Sequence, residues 1–457
     1  MTGGRNTARL VTAFLLVLGC VASLCTEWPG TYVYDSYLQL IEGRTGSYSF
    51  WHPPVMSWLL GLSDSLIPGA ALFILVQTLL GFAALIGLVW LPRRTAWWAA
   101  LVAILICLTP QLLLYQGYVL KDVLLANAAL AGFVALGLSA AFWRETGWRL
   151  FWILLAGLFL LLALLARQNG ILFLLFAALS LTAIALRCGS GGRAATLAGL
   201  CFFFLVAGCG KLATAAFELR HDGTPATAIQ FRILQAYDIT GIIVRHPDYA
   251  LDILTAEAPA LEKQIRSAGS LYTPARNDTL VANAPFSKAL ENSSYDVVAR
   301  QWRALVLDHP MAWLVQRAEV FGWLVLPSHI DQCHPYYVGA KGPADALKTL
   351  GLQERMDGRD WVLFSLGNWL SHTPLFWHIF YGALAFIVML VCFRRRRPAD
   401  IAVGCYMAGA LTFTASFFVI SIACDYRYVY ALDLSAIAGL LYLAASISRR
   451  PENNRIY

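Results

Sequence analysis

Apolar runs recur along this chain at lengths that leave few folds open. Ten of them, near 9–26, 69–91, 96–114, 119–142, 150–166, 170–187, 194–216, 373–393, 400–421 and 428–447, each approach the roughly 20 residues that a helix needs to cross a bilayer. Only 13% of the 457 residues are charged and 59% are hydrophobic, against about a quarter charged in soluble domains. The expected fold is all-α: a polytopic helical membrane protein of about ten transmembrane helices, with further helices at its outer interface. The net charge of +7 carries no nucleic-acid signal, because the basic residues lie in short loops between spans.

Those loops sort by charge. Arg5 and Arg9, Arg93 and Arg94, Arg144 and Arg149, Arg187 and Arg193, Arg394 to Arg397, and Arg449 and Arg450 all fall on one side of a ten-span arrangement. That is the positive-inside pattern, with both termini cytoplasmic. An uncleaved first span fits this count, whereas a cleaved leader would break it. The opposite side carries the long segments. Three parts follow: an N-terminal transmembrane module over 1–216, an extracytoplasmic segment over 217–372, and C-terminal transmembrane helices over 373–457.

Residues 311–327 are apolar enough to suggest a crossing, but counting them as one would put Arg394 to Arg397 outside. They also contain Arg317 and Glu319. They are expected to form an amphipathic helix at the outer interface, as are residues 55–67. Within 217–310, a stretch rich in proline, apolar spacing predicts helices around Tyr249–Ile265 and Tyr295–Leu307. This stretch is expected to pack on the membrane part. Most of the ten cysteines lie in or beside spans, where cysteine behaves as a small hydrophobe. Cys333 and Cys424 sit on the outer side, where a disulfide between them is open, though nothing in their spacing requires one. The chain has no CxxC pair, which argues against a structural zinc site.

Charged residues at membrane edges are costly and tend to serve function. Four constellations lie on the outer side. Asp35 follows the first span in Tyr34-Asp35-Ser36-Tyr37, ahead of Trp51-His52-Pro53-Pro54, where the prolines force an extended stop before a new helix. As an alternative, Asp35 would cap a short helix. Lys121-Asp122 opens the fourth span, where the two would otherwise pair with each other near a helix N-terminus. Arg167-Gln168-Asn169-Gly170 interrupts an apolar stretch; a turn needs Asn and Gly, but an outer arginine runs against the charge trend. Asp425-Tyr426-Arg427-Tyr428 forms the last outer turn, where Arg427 would otherwise pair with Asp425. The run His329-Ile330-Asp331-Gln332-Cys333-His334 has the residue types of a metal site but no standard spacing. It is expected to pack over the site's mouth.

The acidic first outer loop, its short interfacial segment and its Pro-Pro helix start resemble those of the C-type glycosyltransferase superfamily (GT-C). Single matches at Asp122, Arg167 and the Arg427-Tyr428 pair extend the resemblance, which is closest in general character to bacterial lipid A aminoarabinose transferases and protein mannosyltransferases. It implies an enzyme of a bacterial inner membrane that moves a sugar from a polyprenyl phosphate donor to a lipid, glycan or protein acceptor. In that reading Asp35 and Asp122 are catalytic, with Asp35 as the base, and His52, Lys121, Arg167, Arg427 and Tyr428 bind substrate. The loop lacks the adjacent acidic pair that many relatives show, so a divalent cation is left open. Two other readings stand beside it: a transporter or flippase of lipid-linked saccharides, and a polysaccharide ligase or polymerase. The charges gather at span ends instead of the midplane, which weighs against transport.

Overall fold

The structure, a computed structural model, describes residues 3–49, 51–218 and 226–447, with side chains over 7–49, 51–218 and 228–447. The charge signals at Arg5, Arg449 and Arg450, and Pro225, lie outside the side chains described. Among the described residues, nine helices are long and apolar enough to cross a membrane: Thr7–Glu27, Ala71–Trp90, Lys121–Ala141, Thr146–Ala166, Gln168–Arg187, Gly192–Glu218, His378–Arg395, Pro398–Ile420 and Tyr426–Ser446. The chain is a polytopic helical membrane protein.

The third expected span, near 96–114, is not a straight helix. It breaks into Trp98–Cys107 and Pro110–Gly117, bent by 70°. Pro110 explains the break: it has no N–H to give the preceding turn, and its ring clashes with that turn's carbonyl. The bend leaves the segment 115–119 free to meet the first loop. Thr31 and Tyr118 pair as a parallel bridge, and Ser36 Oγ donates to the Val119 carbonyl at 2.6 Å.

Lys121–Ala141 and Tyr426–Ser446 form the centre of the bundle, and nine-tenths of each is buried. Small side chains let neighbours approach: a Cβ added at Gly132 would meet Leu160, and one at Gly439 would meet Val388. Outer helices such as Gly192–Glu218 leave Leu197, Phe204, Leu205 and Leu212 exposed, as a lipid-facing surface requires. At one end of the bundle Arg9 donates to the Pro92 carbonyl at 2.7 Å, and Arg395 to Ser446 Oγ at 2.7 Å. The Asp35, Lys121, Arg167 and Arg427 regions lie at the other end.

A second apolar core lies in the middle segment, built from Tyr237, Leu254, Leu261, Ile265, Phe286 and Val298 with Trp302 packed against it. Ile422, from the end of a spanning helix, packs on the same core, so this segment does rest on the membrane part. The helix expected over Tyr249–Ile265 is two helices, Asp252–Glu257 and Pro259–Ser267, because Pro259 starts a new first turn. The second expected helix forms as Tyr295–Asp308, with Ser294 Oγ accepting from Val297 N. The 311–327 segment forms a helix, Pro310–Val325, and does not count among the nine. Its Arg317 does not face water as an interfacial helix's charge would: it is fully buried, 2.5 Å from Asp238.

Candidate active site at one end of the bundle

The helix Tyr34–Thr45 starts at Val33, whose N–H donates to Ser36 Oγ. Asp35 therefore sits inside the first turn instead of capping it, and its carboxylate is left to reach outward. Arg427 donates to Asp35 Oδ2 at 2.7 Å and contacts Asp425 Oδ2 at 3.3 Å. The expected Arg427–Asp425 pair exists, but Asp35 is the closer partner, across 392 positions of sequence. Nothing local in the sequence shows that pairing.

Pro53 and Pro54 turn the chain so that His52 is buried just before the helix Pro54–Leu66. Lys121 Nζ lies 2.8 Å from His52 Nδ1. An ammonium has only hydrogens to offer, so Nδ1 accepts and the ring proton sits on Nε2. That nitrogen lies 3.8 Å from Asp35 Oδ1 and has no hydrogen-bond partner among the described residues. The expected Lys121–Asp122 pair is thus replaced by two others, because successive positions on a helix point to different faces: Lys121 turns to His52, and Asp122 to Arg167. Arg167 also stacks over Tyr428 at 5.0 Å and Phe417 at 5.2 Å. Its guanidinium is already engaged by Asp122, so it is not a free anion site.

All seven residues singled out from the sequence, Asp35, His52, Lys121, Asp122, Arg167, Arg427 and Tyr428, meet in this one network. Burial raises the Asp35 carboxyl, but Arg427, Lys121 and His52 outweigh it and hold it well below the usual carboxylate range. Burial, and then the Lys121 ammonium, push the His52 imidazole down to about 3, so it is neutral at ordinary pH.

Beside the network lies a cavity of about 390 Å³, lined by Val33, Tyr34, Asp35, Arg276, Asp278, His334, Tyr337, Asp425 and Arg427. Arg276 bridges Asp425 at 2.6 Å and His334 Nε2 at 2.7 Å. Arg276 had no distinguishing signal in the sequence. His334 did, through its run, of which His334 alone lines the cavity. Cys333 is bonded to Cys424, and among the described residues no group of three His, Cys, Asp or Glu side chains comes together. The disulfide is the clue that would have placed His334 beside Asp425.

No family model matches the chain, and no curated protein matches it. Among solved structures it is similar to the archaeal oligosaccharyltransferase AglB from Archaeoglobus fulgidus in complex with an inhibitory peptide and a dolichol-phosphate, at 13% identity and a TM-score of 0.42, over 94% of this chain and 50% of that one. The apo form of the A. fulgidus oligosaccharyltransferase gives 15% identity and a TM-score of 0.44 over 94% and 50% of the two chains. The form tethered to an acceptor peptide gives 15% and 0.45 over 94% and 49%. The chain spans about half the length of the structures it matches.

Proposed function

We propose that the chain is a membrane glycosyltransferase of GT-C type, moving a sugar from a polyprenyl phosphate to a hydroxyl acceptor. Its site faces the extracytoplasmic side, the side opposite the arginine-rich loops, and both termini face the cytoplasm. The spanning parts, 1–216 and 373–457, carry the donor end of the site, and 217–372 forms the wall on the acceptor side.

One observation carries the reading. A half-buried carboxylate, Asp35, is held by Arg427 at the edge of a cavity, with the Lys121–His52 and Arg167–Asp122 pairs alongside. Transfer between oxygens needs a base for the acceptor proton and cationic donors for the departing phosphate. Asp35 held by Arg427 is a weak base. A donor phosphate competes for the same guanidinium, through the fork geometry that suits phosphate and carboxylate alike. As Arg427 turns to the phosphate, with Lys121 and Arg167 close by, the basicity of Asp35 rises. The acceptor O–H bond then breaks with its proton going to Asp35. The hydroxyl oxygen bonds the anomeric carbon, and the anomeric C–O bond breaks with its electron pair leaving on the polyprenyl phosphate. This single displacement inverts the anomeric centre. Asp122 keeps Arg167 in place, and Tyr428 backs both arginines.

The grouping of charge at one end of the bundle favours this over transport, which calls for ionisable groups near the midplane. Mass analysis of envelope lipids and glycans from cells with and without the protein tests the reading. A species lacking one sugar unit in the deletion is expected. Identical profiles under conditions where the protein is made would overturn it.

A further inference from the structure

The acceptor's chemistry is open in the reading above, and the cavity wall bears on it. We infer that the cavity beyond Asp35 is an acceptor subsite for a neutral or amino-bearing saccharide, with Arg276, Asp278, His334 and Asp425 as its specificity wall. This rests on the transferase reading and adds the class of acceptor.

Exposure gives the cavity a direction. The Asp35 and Asp425 side chains are 16% and 11% exposed, Arg276 is 20% exposed, and Asp278 is 66% exposed. Tyr34, also in the lining, is exposed as well, so the mouth opens between Asp278 and Tyr34 and meets water. A hydrophilic acceptor enters there, while Arg167, flanked by Phe417 and Tyr428, belongs to the spanning helices. The volume of about 390 Å³ falls within the roughly 300–1,000 Å³ of small-molecule sites.

The lining gives the chemistry. Carboxylates of Asp425 and Asp278 alternate with the Arg276 guanidinium, which lies 2.6 Å from the first and 3.5 Å from the second. The Nε–H groups of Arg276 and Arg427 make no hydrogen bond among the described residues. Vicinal hydroxyls give and accept at once, and so match alternating fixed acceptors and donors. An acyl chain finds little here beyond Val33 and two tyrosine rings. An anionic acceptor meets three carboxylates against two guanidiniums.

The wall is also built to hold its shape. Cys333 and Cys424 are bonded, Asn277 N donates to the Ile422 carbonyl at 2.9 Å, and Cys424 N donates to the Ala275 carbonyl at 2.8 Å. His334 adopts a left-handed backbone at φ 45°, a conformation uncommon for a residue with a side chain. Three separate segments are thus pinned so that Arg276, His334 and Asp425 meet.

The test uses the full chain in lipid nanodiscs and saturation-transfer NMR with three probes: maltose, glucosamine and glucuronate. Saturable binding of maltose and glucosamine is expected, with glucuronate at least fivefold weaker. Arg276→Ala should weaken maltose binding at least fivefold. Asp278→Asn alters an exposed side chain and should fold normally; it should narrow the maltose-over-glucuronate preference at least threefold. Glucuronate binding as tightly as maltose, or an unchanged preference in Asp278→Asn, would overturn the inference. A parallel assay for a new glycosidic bond separates the two ideas. Bond formation without these saccharide preferences overturns the subsite alone. Saccharide binding with no bond formed from any polyprenyl phosphate sugar overturns the transferase reading beneath it.

Discussion

Two arginine–aspartate pairs built from the same groups occupy opposite settings in this molecule. Arg317 and Asp238 are both fully buried. Asp238 Oδ2 accepts from Trp302 Nε1 at 2.9 Å, Trp313 Nε1 at 3.0 Å and Arg317 Nε at 3.1 Å, and Arg317 Nη1 donates to the Ser421 carbonyl at 2.6 Å. That pair is enclosed by its partners, and it ties the middle segment to the end of a spanning helix. Arg427 and Asp35 instead line a cavity, with Arg427 Nε undonated among the described residues and His52 Nε2 facing Asp35 from 3.8 Å. The enclosed pair holds structure. The open pair keeps unsatisfied groups beside a space that a ligand can fill, and unmet polar groups of this kind call for an explanation in function.

The comparison makes its largest prediction in stability. Arg317→Met leaves Asp238 charged, dry and unpaired, and should cost about 3–5 kcal/mol. Arg427→Met leaves Asp35 beside a cavity where water can reach it, and should cost less, about 1–3 kcal/mol. Parallel unfolding of both variants in one detergent checks the order; equal losses would erase the distinction. Next comes the Cys333–Cys424 link across 91 residues. Replacing both cysteines by serine should cost about 2–4 kcal/mol and weaken acceptor binding more than donor binding, which a KM comparison for the two substrates would read.

His52 gives a smaller effect. His52→Asn keeps an acceptor for Lys121 but no longer presents a donor to Asp35. It should lower kcat about tenfold, or roughly 1.4 kcal/mol, with the donor KM little changed. A raised donor KM at constant kcat would instead make His52 a phosphate ligand.

The last effect is in pH. The folded His52 value of about 3 lies below the unfolded value of about 6.5, so the unfolded chain binds the extra proton first. Stability should therefore fall as pH drops from about 6.5 towards 3, and His52→Asn should flatten that slope. Asp35 acts in the same direction but over a lower pH range. Its depressed folded value contributes stability present above the unfolded value of about 3.9 and lost only as pH falls through the lower folded one. Thermal midpoints between pH 4 and 7 separate the two, because Asp35 should be silent across that window.

Much of this molecule was legible in order of residues. Span length and arginine spacing locate the nine described crossings closely, since the bilayer sets their length. The third expected span was counted by length alone, and hydropathy does not register the break that Pro110 makes. The seven candidate residues were singled out by the expense of charge at a membrane edge together with the GT-C resemblance. Their partners were not, because sequence order hides which helix ends meet: Asp35 with Arg427, Lys121 with His52, Asp122 with Arg167. Arg317 was noticed as a charge in an apolar run and given to an interface, since its buried partner Asp238 lies 79 positions away. Arg276 stood in a polar loop and carried no signal at all.

The central claim is that Asp35 takes a proton from an acceptor as an activated sugar is transferred. Asp35→Asn keeps the side chain's size and removes the base. The purified chain in nanodiscs should form a new glycosidic bond from a polyprenyl phosphate sugar, and the variant should do so about 10²–10⁴-fold more slowly with its unfolding midpoint near the wild-type value. Transfer by the variant at the wild-type rate would contradict the account.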